Sequence, residues 1–292
     1  MPIVVDRRSF LKRTAALTAG FSLTRFGQSA TSPLRLAIFS DTHIAADSQD
    51  EYRGFRPHEN LRKAVAQAGA SRFDLAIVNG DLARREGLRD DYAQFTSLIN
   101  PLAEAQPLAV TLGNHDDRRN ARNALAKRSG ETAAVEQKYV STIDAGEFKF
   151  IFLDSLMVTN IAAGQLGSSQ REWLAQYLRT LGRKPVIVFI HHNPDPHDNG
   201  ALVDADRLLA ILKPQRAVKA LVFGHTHVYS HDVQDGLQLL NLPAVGYNFA
   251  DRHPVGWIEA SLTPAGGEFK LHALAGETKD DGKVTPLSWR ST

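Results

Sequence analysis

Five short apolar segments of the sequence are each followed at once by aspartate, asparagine or histidine. The polar groups are Asp41-Thr42-His43 after LRLAIFS, Gly80-Asp81 after DLAIVN, Gly113-Asn114-His115-Asp116 after PLAVTL, His191-His192 after KPVIVFI, and Gly224-His225-Thr226-His227 after VKALVF. Any one of these groups alone is typical of a polar loop. Five of them at equivalent places indicate one shared functional site. Side chains of these types can bind metal ions or transfer protons.

The chain of 292 residues contains no cysteine, which excludes disulfides, a thiolate metal site and a cysteine nucleophile. A metal ion would therefore be held by histidine, aspartate, glutamate or asparagine. Neutral imidazole suits iron, manganese or zinc, whereas a calcium or magnesium site is built mostly from oxygen.

The elements that must position these groups are short strands alternating with helices. Strands are predicted at 34–40, 74–80, 107–113, 148–154, 184–190, 218–224 and 237–243, and helices at about 58–69, 90–104, 117–129, 169–181 and 204–213. Ser169 and Glu172 predict a capping box for the fourth helix. The apolar strands indicate an α/β sheet covered on both faces, with antiparallel additions from 237 to about 274. Because ligands bind beyond the carboxyl ends of strands in such sheets, the five polar groups are expected to share one site.

The ordered set D-x-H, G-D, G-N-H-D, H and G-H-x-H resembles the calcineurin-like metallophosphoesterases, and the resemblance extends from about residue 34 to 273. It implies an α/β fold, a four-layer sandwich of two mixed β-sheets flanked by helices. It also implies a centre of two divalent or trivalent metal ions at the strand ends.

The resemblance assigns a ligand set to each metal. One ion would be held by Asp41, His43, Asp81 and His227, and the other by Asp81, Asn114, His191 and His225. Asp81 would bridge them. Two cations roughly 3.5–4 Å apart repel each other, and a shared carboxylate supplies negative charge between them.

The family's catalytic histidine corresponds to His115, which would protonate the leaving oxygen, and Asp116 is expected to orient it and raise its basicity. His192 is expected behind the ligands, although a second histidine at this place also occurs in the cyclic-nucleotide phosphodiesterase branch. Asn248, Arg252 and His253 are further candidates for lining the pocket. Ordinary surface or packing roles are expected for His58, His197, His231, His272 and, in the first instance, His253 as well.

The implied activity is metal-dependent hydrolysis of small-molecule phosphate esters. The segment 191–200 contains no lysine or arginine, and Arg118, Arg119 and Arg122 fall on a predicted helix where most of them are expected to face solvent. Without a clear basic clamp for a dianionic monoester, a phosphodiesterase, with 3′,5′-cyclic nucleotides as one candidate substrate class, is favoured over a broad phosphomonoesterase. A non-catalytic binding module on the same scaffold is the alternative from another class; such a module is expected to lack a ligand or His115.

Residues 1–30 are predicted to be a targeting segment, followed by a single domain over 31–292. Arg7 and Arg8 precede Phe10-Leu11-Lys12, a short apolar run and Arg25, which resembles a bacterial twin-arginine export signal with Asp6 where serine or threonine is usual. The run is too short for a stable membrane span. The resemblance implies contact with the export machinery and a periplasmic or secreted protein. A signal-anchored surface protein is the alternative, distinguished by whether the segment is cleaved.

The predicted export affects which metals are expected and what net charge the domain has once residues 1–30 are removed. Because this pathway moves folded proteins, metals loaded in the cytoplasm, Fe or Mn, are favoured, with Zn as the alternative. Five basic residues against Asp6 give residues 1–30 a formal charge of +4, which leaves −2 of the whole-chain +2 for the rest. A slightly acidic domain offers no basic surface for nucleic acid.

Overall fold

The computed structural model describes residues 32–125, 135–195, 197–198 and 200–292, so the predicted export signal lies outside the described residues. Its strands are β1 (Leu34–Phe39), β2 (Leu75–Asn79), β3 (Leu108–Thr111), β4 (Ser141–Ala145), β5 (Phe148–Phe152), β6 (Val186–Phe189), β7 (Val218–Phe223), β8 (Ser230–Gln234), β9 (Leu237–Asn241), β10 (Pro254–Thr263), β11 (Gly266–Gly276) and β12 (Val284–Ser288). Its helices are α1 (Pro57–Gly69), α2 (Arg89–Ala105), α3 (Arg118–Leu125), α4 (Ser168–Thr180) and α5 (Ala205–Leu212). Residues Pro33–Thr292 cluster as one compact unit.

The strands form two mixed sheets of six. The first has the order β12-β11-β10-β1-β2-β3, in which β1, β2 and β3 are parallel and β10 to β12 are antiparallel. The second has the order β4-β5-β6-β7-β9-β8, in which the four central strands are parallel and the two edge strands are antiparallel to their neighbours. The predicted pair of mixed sheets is confirmed.

Alternating side chains of the strands divide the core into layers. In β1, Leu36 and Ile38 pack in the cluster between the sheets, while Ala37 and Phe39 pack against the cluster that contains residues of α1 and α2. In the second sheet, Ile151 packs with residues of α4 and α5. The period of two along each strand therefore produces the predicted order of helix, sheet, sheet and helix.

Three local predictions were wrong or incomplete. Gly167 is the N-cap of α4 and no side chain caps it, so Ser169 and Glu172 form no capping box. The antiparallel additions expected from 237 to about 274 are confirmed for β10 and β11, but β9 pairs in parallel with β7. The strands β4, β8 and β12 were not predicted. The described part of the third predicted helix is α3, and the rest of 117–129 lies outside the described residues.

None of the helices in the described part of the chain combines the length and apolarity that a bilayer crossing requires.

Candidate metal centre

The loops that follow β1, β2, β3, β6 and β7 meet at one end of the two sheets. The backbone N–H of Asp41 donates to the carbonyl of Gly80 at 3.1 Å, and that of Gly224 donates to the carbonyl of His191 at 2.9 Å. The N–H of His115 donates to Oδ1 of Asp81 at 2.9 Å. The five polar groups of the sequence are therefore brought together, because the parallel strands that carry them end at the same side.

The backbone of this site is strained. Nine non-glycine residues among those described have a positive φ, and five of these are predicted metal ligands: Asp41 (52°), His43 (48°), Asp81 (49°), His225 (71°) and His227 (56°). A non-glycine residue in the left-handed region costs on the order of 1–3 kcal/mol, and such residues cluster at functional sites. The surrounding hydrogen bonds hold these loops in a costly conformation that aims their side chains inward.

The imidazole and carboxylate atoms of the ligands converge. Nε2 of His227 lies 3.4 Å from Oδ1 of Asp41. Oδ2 of Asp81 lies 3.7 Å from Nε2 of His43 and 3.4 Å from Nε2 of His191. Three groups of side chains could hold a metal ion: His43 with Asp81 and His115, Asp41 with His43 and His227, and Asp81 with His191 and His225. The last two consist of predicted ligands only. Asp81 stands between them, as expected of a bridging ligand.

The tautomers of the histidines leave lone pairs facing the site. Nδ1 of His43 lies 3.4 Å from the carbonyl of Arg84, and Nδ1 of His227 lies 2.6 Å from the carbonyl of Tyr247. A carbonyl only accepts hydrogen bonds, so each Nδ1 carries a proton, and in the neutral ring Nε2 keeps a lone pair. These two Nε2 atoms are 3.1 Å apart. Two lone pairs at this distance repel unless a cation lies beside them, so the arrangement fits a metal ion.

The second group has ligand atoms that lack a partner. Nδ1 of His191 donates to the carbonyl of Asn79 at 2.9 Å, which directs Nε2 into the site. This Nε2 and Oδ1 of Asn114 are buried without a hydrogen-bond partner among the described residues. Buried acceptors are costly to leave unsatisfied. Both atoms are predicted ligand atoms, and a cation would satisfy both.

The charge state of the imidazoles agrees with this arrangement. Burial lowers the pKa of His43 to about 3 and that of His225 to about 4, so both are neutral and able to coordinate. Burial also lowers the pKa of His191, but the carboxylates of Asp81 and Asp41 outweigh it and raise the pKa to about 10. The two carboxylates thus stabilise positive charge at the centre of the site, and metal ions would supply that charge.

His115 lines the cleft, and its ring is hydrogen-bonded to a backbone carbonyl. Nδ1 of His115 donates to the carbonyl of Arg85 at 3.0 Å, which leaves Nε2 for the cleft. The carboxylate of Asp116 is fully buried and accepts from the N–H groups of Gly113, at 2.9 Å, and of Leu82 and Ala83, at 3.2 Å. The hydroxyl of Tyr92 also donates to it at 3.0 Å. The predicted catalytic role of Asp116 stays a prediction, and the hydrogen bonds that its carboxylate accepts tie two ligand loops together.

His192 lies behind the ligands, as expected. It is buried, Nδ1 lies 2.7 Å from the hydroxyl oxygen of Ser155, and its ring lies 4.7 Å from that of His225. A Cβ on Gly164 would lie 2.3 Å from this ring, so the chain packs tightly against it. Burial lowers the pKa of His192, which keeps it neutral.

The cleft above the ligands has a volume of about 340 Å³. Besides ligand residues and His115 it is lined by Ala162, Asp198, Thr226, Tyr247 and Phe249. Of the late-loop candidates, Asn248 is buried and donates to the carbonyl of His253 at 2.6 Å, so it holds the loop while its neighbours Tyr247 and Phe249 face the cleft. The only sequence signal for these two was their aromatic character at alternate positions.

Fold and site together define a metal-dependent hydrolase built on two sheets. The calcineurin-like phosphoesterase family matches residues 34–229, about two thirds of the sequence, and the chain belongs to this family. It is therefore an enzyme that hydrolyses phosphate esters, and members of this family work with two metal ions.

Two similar proteins are named as phosphodiesterases of cyclic nucleotides. A probable cyclic nucleotide phosphodiesterase of Synechococcus sp. is 32% identical over 76% of this chain and 84% of its own length. The 3′,5′-cyclic adenosine monophosphate phosphodiesterase of Pseudomonas aeruginosa is 27% identical over 85% of this chain and 87% of its own. Among solved structures, a dimetal phosphatase from Danio rerio has a TM-score of 0.68 at 18% identity, covering 88% of this chain and all of that one, which supports the fold.

Proposed function

We propose that this protein hydrolyses phosphodiesters, including 3′,5′-cyclic nucleotides, at a centre of two metal ions. The observation that carries the proposal is the position of Asp81, whose Oδ2 lies 3.7 Å from the imidazole of His43 and 3.4 Å from that of His191. We assign one ion to Asp41, His43, Asp81 and His227, and the other to Asp81, Asn114, His191 and His225. When bound, such ions lower the pKa of water and stabilise charge on phosphate oxygens.

The chain itself supplies orientation and a proton. The carbonyls of Asn79, Arg84 and Tyr247 fix the tautomers of three ligand histidines, so their Nε2 atoms point into the site before any ion binds. His115 is held in the same way by the carbonyl of Arg85, with Nε2 directed to the cleft. In its protonated form His115 would donate from Nε2 to the departing alkoxide oxygen.

Two features of the cleft favour a diester over a monoester. No lysine or arginine is among the described residues that line it, and Asp198 adds a carboxylate. A dianionic monoester gains from a cationic neighbour at its third oxygen, whereas a diester carries one charge. Arg118 is the basic residue nearest to His115 in the sequence. Its guanidinium is ion-paired with Asp154 at 2.6 Å. The relatives named as cyclic nucleotide phosphodiesterases support the same assignment.

The test compares kcat/KM for bis-nitrophenyl phosphate, nitrophenyl phosphate and 3′,5′-cyclic adenosine monophosphate on one metal-replete preparation. We expect both diesters to be preferred. A monoester preference of tenfold or more, equivalent to about 1.4 kcal/mol of transition-state binding, would overturn the diesterase assignment. A metal-replete protein inactive on all three would instead support a non-catalytic binding module.

We further propose that residues 1–30 direct export by the twin-arginine pathway and that the mature domain begins near residue 31, in the periplasm or outside the cell. Changing Arg7 and Arg8 together to lysine keeps the charge but removes the paired guanidinium groups. The double variant is expected to remain in the cytoplasm, as measured by fractionation and by the mass of the mature chain. Undiminished export of the variant would refute this assignment, and an exported chain of uncleaved mass would identify a signal-anchored protein.

The same pathway bears on metal identity. Since folded proteins are exported, we propose that iron or manganese is loaded in the cytoplasm. Elemental analysis of protein from its native compartment tests this, and two equivalents of zinc without iron or manganese would contradict it.

A further inference from the structure

One side of the cleft is lined by the aromatic residues Tyr247 and Phe249, and the ring of Tyr52 packs against that of Tyr247. These three residues are here called the aromatic wall. The ring centroids of Tyr52 and Tyr247 are 4.7 Å apart, and those of Tyr247 and Phe249 are 5.7 Å apart. The rings are thus continuous. The cleft is also lined by Ala162, Asp198 and His225. Of these three side chains only the small Ala162 is apolar, so the large apolar side chains of the cleft belong to the aromatic wall.

Phe249 is the member of the aromatic wall placed directly against the metal centre. Its ring stacks on the imidazole of His227 at 4.3 Å between centroids and 24° between planes. Even so, 48% of its surface is exposed. A single exposed apolar residue on a protein surface needs no explanation. Here, however, the exposed ring lies one ring's thickness from a proposed metal ligand, within the cleft that a phosphate substrate must enter.

The position of Phe249 is held by a second loop. Residues 52–55 form a tight hairpin in which Tyr52 and Phe55 exchange backbone hydrogen bonds at 2.9 Å. Arg53 and Gly54 at its tip both have positive φ, 55° and 80°, as a type I′ turn requires. From this tip, Nη2 of Arg53 donates to the backbone carbonyl of Phe249 at 2.8 Å. The backbone of Phe249 is therefore held in place before substrate arrives, and its ring is stacked on His227, which lowers the entropic cost of binding.

The remainder of the aromatic wall is braced as well. The guanidinium of Arg84 lies 4.7 Å from the ring centre of Tyr52 and 5.8 Å from that of Tyr247, and its Nε donates to Asp50 at 2.7 Å. Charge and stacking thus fix Tyr52 and Tyr247 behind Phe249.

We propose that Phe249 stacks the nucleobase of a nucleotide substrate and so determines preference for nucleotide over aliphatic diesters. This rests on the proposed phosphodiesterase function. The ring is stacked on His227, and the guanidinium carbon of Arg53 lies 5.8 Å from its centre. Phe249 still has 48% of its surface exposed, which leaves room for a planar group attached to the phosphate. Because every base has a π-face, stacking of this kind tolerates different bases. It therefore predicts little discrimination between adenine and guanine cyclic nucleotides.

The experiment compares wild type with Phe249→Leu, which keeps apolar bulk but removes the ring, and with Phe249→Trp, which restores a ring. The substrates are 3′,5′-cyclic adenosine monophosphate and glycerophosphoethanolamine, a diester without a planar group. A binding readout is calorimetric titration with adenosine 5′-monophosphate. Val233→Ala is the control, because Val233 is 49% exposed on the edge strand β8 and does not line the cleft. Metal content is measured for every variant.

We expect Phe249→Leu to reduce the ratio of kcat/KM for the cyclic nucleotide over the aliphatic diester about tenfold, equivalent to about 1.4 kcal/mol. The change should fall on KM, the Kd of adenosine 5′-monophosphate should rise similarly, and Phe249→Trp should restore both. Val233→Ala should change neither. These results would support the proposal.

Equal losses on both diesters, or unaltered nucleotide binding, would overturn it and leave the phosphodiesterase function standing. A wild-type protein that cleaves only the aliphatic diester would also overturn the proposed role of Phe249 and leave the phosphodiesterase function standing. A wild type with a tenfold monoester preference would overturn the proposed function itself, while the titration would still report whether Phe249 binds a base.

Discussion

Gly113 approaches Asp81 so closely that a Cβ on Gly113 would lie 2.1 Å from Oδ1 of Asp81 and 2.7 Å from Cδ2 of His191. The glycine that follows β3 is therefore required by the proposed bridging ligand. Glycine is required at position 113 because it has no side chain. Its backbone conformation is not the reason, since its φ is not positive.

Gly113→Ala is expected to displace Asp81 and so to lower metal content and activity together. A shift of about 1 Å in a catalytic group can cost about 100-fold in rate. The matched control is Gly69→Ala at the end of α1, where a Cβ would meet no atom within 4 Å. Elemental analysis and kcat/KM on both variants test this, and a fully loaded, active Gly113→Ala protein would show that the close approach does not matter.

His115→Ala separates the proton donor from the ligands. Since His115 is held by a backbone carbonyl and lines the cleft, the variant should keep both metals and lose about 10²–10⁴-fold in kcat. The loss should shrink for a good leaving group such as nitrophenolate, which needs no proton. Asp81→Ala, by contrast, should cost metal as well as activity. Loss of metal from the His115 variant would make His115 a ligand instead.

The seven predicted ligands lie at one site because each directly follows a buried strand whose end is set by the sheet. The contacts of Asp116 could not be predicted, because its partners include backbone N–H groups of Leu82 and Ala83, which are distant in sequence, and sequence adjacency to His115 says nothing about them. Tyr247 and Phe249 reach the cleft through the connection between β9 and β10. Their placement depends on β10 returning to pair with β1, a long-range pairing that local patterns do not encode.

The direction of β9 has a similar explanation. β8 and β9 form a hairpin, and β8 takes the outer edge of the sheet, so β9 lies beside β7 and runs parallel to it. The sequence from 237 onward lacks a helical pattern, but the exposed β8 lacked the apolar signal that would have revealed the hairpin.

Asp116→Asn should act on stability. The amide has one acceptor oxygen in place of two, so N–H groups that the carboxylate satisfies would lose their partner at a fully buried position. We expect a loss of about 2–4 kcal/mol in the free energy of unfolding. Urea denaturation of metal-free protein measures it, with the exposed Asp251→Asn as control. A lower kcat with unaltered stability would support the predicted catalytic role of Asp116 instead.

Arg118→Ala should likewise destabilise the fold. It removes the partner of Asp154, whose side chain is fully buried and also accepts from the N–H of Tyr139 at 2.6 Å. An unpaired buried carboxylate costs on the order of 3 kcal/mol. The adjacent Arg119 is exposed, and Arg119→Ala should stay within about 0.5 kcal/mol of wild type. A raised KM for phosphate esters in Arg118→Ala, with no loss of stability, would instead identify a substrate clamp.

A pH-dependent contribution is expected from Glu259 on β10. Its carboxylate accepts from Nη2 of Arg35 at 2.6 Å and lies 3.1 Å from Nε2 of His272. Burial raises the pKa of Glu259, but the bonds to Arg35 and His272 outweigh it and hold the pKa below its usual range. A lowered folded-state pKa means that this stabilisation is present above the unfolded value, about 4.5, and is lost as pH falls through the folded value. Glu259→Gln should therefore be less stable than wild type at neutral pH, by about 1 kcal/mol, and the difference should vanish in acid. Denaturation of metal-free protein across this range tests it, and a difference that persists in acid would mean that the charge of Glu259 is not its source.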